Sequence, residues 1–136
     1  MTLFDLVSNP QSLISLYGDW PSFKGGRITS MELVEDGPTI NIIVQLTRVP
    51  QNPPQRWKRN KFNAVSIEIS FFGVESISMT DWSINNVIEK LLIQENADCR
   101  VPWKRIDCCT KEGVQFCFQC IDIRIKSIIP ILIDQE

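Results

Sequence analysis

Strict two-residue alternation, repeated at distant points of the chain, limits this fold more than any other feature. Ile40, Ile42, Val44 and Leu46 fall on one side of an extended run from Thr39 to Thr47. Val65, Ile67, Ile69 and Phe71 repeat the pattern within Ala64 to Phe72. Ile121, Ile123 and Ile125 repeat it again, with Asp122, Arg124 and Lys126 between and beyond them. A period of two sends successive side chains to opposite faces of a strand, so each run predicts a strand with one face toward a core. A weaker alternation from Ile28 to Val34 sets Thr29, Met31 and Leu33 on one face and Ile28, Ser30, Glu32 and Val34 on the other. The turn Asp36-Gly37-Pro38 then joins it to the run from Thr39 as a β-hairpin.

Around these strands the sequence predicts two short helices. Asn9-Pro10 opens the first, Leu13, Ile14, Leu16 and Tyr17 share one side, and Gly18 ends it. Ser83 caps the second, where Ile84, Val87, Ile88 and Leu91 follow helical spacing. Residues 50–63 read as a long exposed loop, proline-rich at first and then basic. Gly73 bends the chain into an alternating run from Val74 to Met79, with Ile77 and Met79 facing one way. Cys99 to Ile106 reads as a short irregular strand interrupted by Pro102, and Lys111-Glu112-Gly113 as a turn. Val114 to Cys120 and Ile121 to Ile128 form one long strand or two strands with a kink, and Pro130 ends the regular part. The expectation is an α+β fold, mostly antiparallel sheet, sandwich-like or curled, with two short helices. The length of 136 residues fits a single domain, 1–136.

Composition removes several classes of function. With 14 basic and 16 acidic residues the formal charge is −2, which announces neither a nucleic-acid binder nor a DNA mimic. Histidine is absent, which removes the commonest general base at neutral pH, the histidine-dependent nucleophilic dyads and most zinc sites. Neither an enzyme nor a cofactor is expected. Met1 to Asp5 lacks a basic leader region, and the apolar run Ile128 to Ile133 falls short of the roughly 20 residues that cross a bilayer. A cytoplasmic protein without a membrane anchor is expected, and its five cysteines are then free thiols.

Cys117-Phe118-Gln119-Cys120, with Cys108-Cys109 and Cys99 upstream, is the most metal-like pattern. In a strand, positions three apart point to opposite faces, so buried thiols acting as small hydrophobes are the better reading, and no metal is expected. Arg56, Lys58, Arg59 and Lys61 surround Trp57, an arrangement that in a single-stranded nucleic-acid module grips phosphates and stacks a base. A solvated loop on a weakly acidic protein explains it more simply. Gly25-Gly26 lacks the following Lys-Ser/Thr and helix of a phosphate loop. Glu32, Glu35 and Asp36 gather at the tip of the first hairpin. Asp81-Trp82 combines a charge with a residue favoured in interface anchors, as does Asp19-Trp20.

The turn Tyr17-Gly18-Asp19-Trp20-Pro21-Ser22-Phe23, followed by a strand carrying Ile28, Met31 and Leu33, resembles the immunity protein 50 family of bacterial polymorphic-toxin systems. Two further stretches match that family's layout: Ile69-Ser70-Phe71-Phe72-Gly73-Val74 running through Trp82 to Asn86, Val87 and Ile88, and Phe116 to Cys120 running into Ile121, Ile125, Ser127, Ile128 and Pro130. Family members commonly carry an acidic His-Asp-Ala-Glu-like run after the Phe of the turn; here Lys24-Gly25-Gly26-Arg27 stands there. The resemblance implies a non-enzymatic protein that binds the C-terminal domain of a cognate toxin, often a nuclease, and blocks it. A nuclease cleft is usually basic, so Glu32, Glu35, Asp36 and Asp81, with Trp82 as anchor, are the expected contact residues.

Overall fold

The computed structural model describes residues 6–19, 21–83, 85–95 and 103–133. The helix α1 spans Gln11–Tyr17, and eight strands follow: β1 Arg27–Val34, β2 Thr39–Leu46, β3 Ala64–Phe72, β4 Glu75–Thr80, β5 Asn86–Glu95, β6 Lys104–Thr110, β7 Gln115–Cys120 and β8 Asp122–Ile131. They lie in the order β4-β7-β6-β5-β1-β2-β3-β8. Every strand pair is antiparallel.

The pairing is uneven along this order. β1 and β5 meet only at Arg27–Val87 and Ile28–Asn86. Two backbone bonds extend this seam, from Gly25 N–H to Ile88 O at 2.8 Å and from Ile88 N–H to Gly26 O at 2.7 Å. A seam this short lets the sheet fold over, so that β1-β2-β3-β8 faces β5-β6-β7-β4. Phe71 of β3 and Phe118 of β7 meet edge to face across the interior, with ring centroids 5.1 Å apart. The core lies between the halves. Ile40, Ile42, Val44 and Leu46 of β2 and Val65, Ile67, Ile69 and Phe71 of β3 are all buried in it, as the alternation required. Phe116, Phe118 and Cys120 of β7, with Ile106 and Cys108 of β6, close it from the other side.

The first predicted helix forms, and Gly18 ends it in the left-handed region at φ 82°. Asn9 does not cap it; its side chain binds the backbone of β8 instead. The second predicted helix does not form: that stretch is strand β5, and Ile84 lies outside the described residues. The physical reason is a bulge. Ile88 pairs with Thr110 and Lys90 with Cys109, so Glu89 is an extra residue, and burial moves from Ile88 to Ile93 out of phase with a simple period of two. Ladder bonds to β6 then outweigh the local helical spacing. Ser83 caps no helix; its N–H donates to Asn86 Oδ1 at 3.1 Å, and Asn86 Nδ2 donates back to Ser83 O at 2.7 Å.

A second bulge explains the imperfect alternation of β1. Ile28 pairs with Val44 and Ser30 with Ile43, so Thr29 is extra. Ile28, Met31 and Leu33 therefore stand opposite the core-facing Val44, Ile42 and Ile40, which moves Ile28 to the face of Met31 and Leu33. The last run divides into β7 and β8, one in each half, and Ile121 between them is exposed rather than sharing the buried face of Ile123 and Ile125. β8 continues past Pro130, which sits on the sheet's edge strand, where a missing N–H costs no ladder bond. β6 begins at Lys104, later than expected, and 96–102, with Cys99 and Pro102, lie outside the described residues.

Ser8 N–H donates to Ile123 O at 2.8 Å, and the Ser8 hydroxyl donates to the Asp122 carboxylate. Partial burial works against ionisation of Asp122, but the hydrogen bonds from Ser8 and Arg124 outweigh it and hold the carboxyl below its usual range. The segment before α1 thus covers part of the exposed edge of β8.

Candidate partner-binding surface

The β1–β2 hairpin presents the first group of predicted contact residues. Gly37 takes the left-handed conformation at φ 98°, and the Thr39 hydroxyl donates to Asp36 O at 3.4 Å, closing the turn. Glu35 and Asp36 are exposed at its tip. Glu32 lies on the outer face of the half-sheet, where its carboxylate accepts from Asn41 Nδ2 at 3.1 Å. Asn41 Oδ1 in turn accepts from the buried Ser70 hydroxyl at 2.6 Å, so Glu32 is held by a chain that crosses three strands. Among the described residues, none of these three carboxylates forms an ion pair.

Asp81 and Trp82 lie elsewhere. Val74 N–H donates to Pro38 O at 3.0 Å, which fixes the start of β4 beside the hairpin. β4 then runs for six residues before Asp81, a length of about 20 Å. Trp82 is 46% exposed, and Asp81 has φ 57°, a conformation that Asp tolerates better than most residues. The predicted contact residues therefore form two groups, one at each end of β4. Trp20 lies outside the described residues.

Two exposed apolar residues near the hairpin carried no signal as contacts in the sequence. Leu33 is 59% exposed and Ile77 is 44% exposed, although both sit in alternating runs that predict strand packing. What distinguishes them is position at the end of the sandwich, which no local pattern encodes.

The basic loop differs from its prediction. Gln55–Arg59 forms a 3-10 turn, and Trp57 is buried, edge to face with Phe62 at 5.7 Å. Arg56, Lys58, Arg59 and Lys61 remain exposed, but Trp57 has no free face on which to stack a base. Lys104 donates to Ile121 O at 2.8 Å. Arg105 forks onto Asp107 at 3.0 and 3.4 Å.

The cysteines follow strand geometry. Cys117 lines a hollow of about 370 Å³ on the outer face of β5-β6-β7-β4, whereas Cys120 is buried in the core. Burial pushes the Cys108 and Cys120 thiols up to about 12, as desolvation disfavours thiolate. Among the described residues, no group of three or more Cys, Asp or Glu side chains is placed to hold a metal ion. No described helix is long and apolar enough to cross a membrane.

No curated protein and no solved structure matches the chain significantly. The family model described as immunity protein 50 matches residues 9–130, a span that takes in α1, all eight strands to the end of β8 but one residue, and both groups of contact candidates. The chain belongs to the immunity protein 50 family.

Proposed function

We propose that this protein neutralises one cognate bacterial toxin domain, a nuclease, by direct contact in the cytoplasm, through binding rather than catalysis. The family match over residues 9–130 carries the reading. The surface supports it: Glu35 and Asp36 project from a hairpin whose other strand edge is fully laddered, so the acidic tip is presented by a rigid element. A rigid acidic projection complements a cleft built to hold phosphates, and complementary charge speeds association and fixes orientation. Glu32, Glu35 and Asp36 form one contact group in this reading, and Asp81 with Trp82 the other. Burial of Trp57 weighs against the alternative of a single-stranded nucleic-acid module.

The test is co-purification with the toxin C-terminal domain encoded by the adjacent upstream gene, with nuclease activity assayed with and without this protein. A tight complex that silences the activity is expected. Charge reversal at Glu32, Glu35, Asp36 and Asp81, and Trp82→Ala, then speed dissociation. A toxin domain that forms no complex overturns the proposal, and full neutralisation by the reversed variants overturns the assignment of these contacts.

A further inference from the structure

The sandwich is open at its hairpin end. Leu33 stands opposite Ile40 in the β1–β2 ladder, yet Ile40 is 1% exposed and Leu33 is 59% exposed. The core thus ends between them. From the other half, the β3–β4 crossover brings Val74 to the hairpin through its bond to Pro38 O, and Ile77 follows. Leu33, Val34, Pro38 and Ile77, with the buried Ile40 and Val74, line a notch of about 310 Å³ that continues the core to the surface.

The backbone beside the notch is irregular. Glu75 pairs with Gln119 and Ser78 with Cys117, so β4 holds one extra residue between them. Ser76 in that stretch has φ 58°, a left-handed conformation without glycine. Bulges and strained residues of this kind re-aim side chains, and they gather next to binding sites. Here the irregular stretch presents Ile77, whose 44% exposure leaves a large apolar side chain on the notch wall.

The one charged residue lining the notch is acidic, and Arg124 and Lys126, which line the adjoining hollow that shares Val34 and Thr39 with it, are each paired with a carboxylate. Glu35 lines the notch, Asp36 is next in the turn, and Glu75 follows Val74; all three are exposed, and no lysine or arginine is among the residues lining the notch. Among the described residues, none of the three carboxylates is in an ion pair. An apolar pocket with a carboxylate rim selects an apolar side chain flanked by cations.

We infer that this notch takes one large apolar side chain from a lysine- or arginine-bearing segment of the toxin domain. The inference rests on the immunity reading and adds Leu33, Ile77 and Glu75 to the contacts. It makes the apolar notch the anchor and the hairpin carboxylates its rim.

The test measures the dissociation constant between this protein and the upstream-encoded toxin domain across a salt series. Leu33→Asp and Ile77→Asp replace exposed side chains, and Leu33→Ser and Ile77→Thr are milder versions for the case in which either fails to fold. Loss of roughly 30-fold or more in affinity at either position, with the thermal midpoint unchanged and the salt slope no flatter than that of wild type, is the expected result. Glu35→Lys/Asp36→Lys/Glu75→Lys should weaken binding and flatten the salt slope. Wild-type affinity in the apolar variants overturns the notch as anchor and leaves the immunity reading standing. An unchanged salt slope in the triple variant overturns the cationic occupant. If the wild-type protein does not bind the toxin domain, the immunity reading fails and the inference with it.

Discussion

Asn9 holds both backbone groups of Ile125. Its Nδ2 donates to Ile125 O at 2.9 Å, and its Oδ1 accepts from Ile125 N–H at 2.8 Å. The side-chain amide acts as a one-residue strand on the edge of β8. Asn63 repeats the arrangement near the C-terminal end, donating to Ile133 O and accepting from Ile133 N–H, each at 2.8 Å. Two asparagines thus tie the last strand and the residues after it to distant parts of the chain.

Each clamp satisfies one donor and one acceptor, and no other side chain has an amide at that reach. Asn9→Ala and Asn63→Ala should each destabilise by about 1–3 kcal/mol, the cost of leaving partly buried backbone groups unpaired. Asp is the sharper substitution. It keeps the acceptor, loses the donor, and sets a carboxylate against a carbonyl oxygen, so Asn9→Asp should be at least as destabilising as Asn9→Ala at neutral pH. Urea unfolding of the three single variants measures this. An Asp variant as stable as wild type would mean that the donor half of the clamp contributes nothing.

Gly26 marks the seam between the half-sheets. A Cβ there would lie 2.8 Å from Leu46 Cδ2, 2.9 Å from Val44 Cγ1 and 2.9 Å from the Phe23 carbonyl oxygen. The first two are core side chains and the third is backbone, so little can give way. Gly25 has open space around its Cβ position but φ 86°. Gly26→Ala should cost about 1–3 kcal/mol by overpacking, and Gly25→Ala about 1–2 kcal/mol by backbone conformation alone. Thermal melts separate the two. Only Gly26→Ala should also speed amide exchange at Ile88, whose N–H donates to Gly26 O.

Legibility in the sequence follows the range of the interactions involved. β2 and β3 are readable because they have neighbours on both sides: burial alternates without a break along β2, and Val65, Ile67, Ile69 and Phe71 of β3 are all buried in step. β5 is misread because one extra residue, Glu89, shifts the phase of burial. The resulting spacing of Val87, Ile88 and Leu91 imitates a helix, and only the distant β6 decides against it. Thr29 does the same to β1 on a smaller scale. Asn9 looks like a helix cap because capping is the local use of asparagine, whereas its actual partner is 116 residues away. The candidate site divides in the same manner. Glu35 and Asp36 are legible as an exposed tip because the turn is local. Leu33 and Ile77 are not, because their exposure depends on where the sandwich ends.

The buried cysteines make stability depend on alkaline pH. Cys108 and Cys120 are raised from 9.0 to about 12 in the folded protein. Between those values the unfolded chain releases thiol protons that the folded chain keeps, so the unfolded state binds fewer protons and stability falls as pH rises above about 9. Unfolding midpoints measured between pH 8 and pH 11 should decline. The decline should be shallower in a Cys108→Ala/Cys120→Ala variant, whatever that variant loses at neutral pH through its smaller core side chains. Equal slopes would show that other groups carry the alkaline dependence.

Trp57 separates a structural role from a recognition role in the basic loop. Its ring is 5% exposed and packs edge to face on Phe62, so Trp57→Ala removes core volume and should cost about 3–5 kcal/mol. Trp57→Phe should recover much of that by keeping an aromatic contact. The neighbouring Arg56, Lys58, Arg59 and Lys61 are exposed, and replacing all of them with Gln should change stability by no more than about 0.5 kcal/mol per site. If the loop were a nucleic-acid site, the Gln variant would lose salt-dependent oligonucleotide binding while the Trp57→Phe variant kept its fold and its stacking. The buried geometry predicts no such loss: wild type and Gln variant should show the same weak oligonucleotide binding at physiological salt, and the Gln variant should still neutralise the toxin. A wild-type complex with an oligonucleotide that the Gln variant cannot form would instead make the loop a functional surface in its own right.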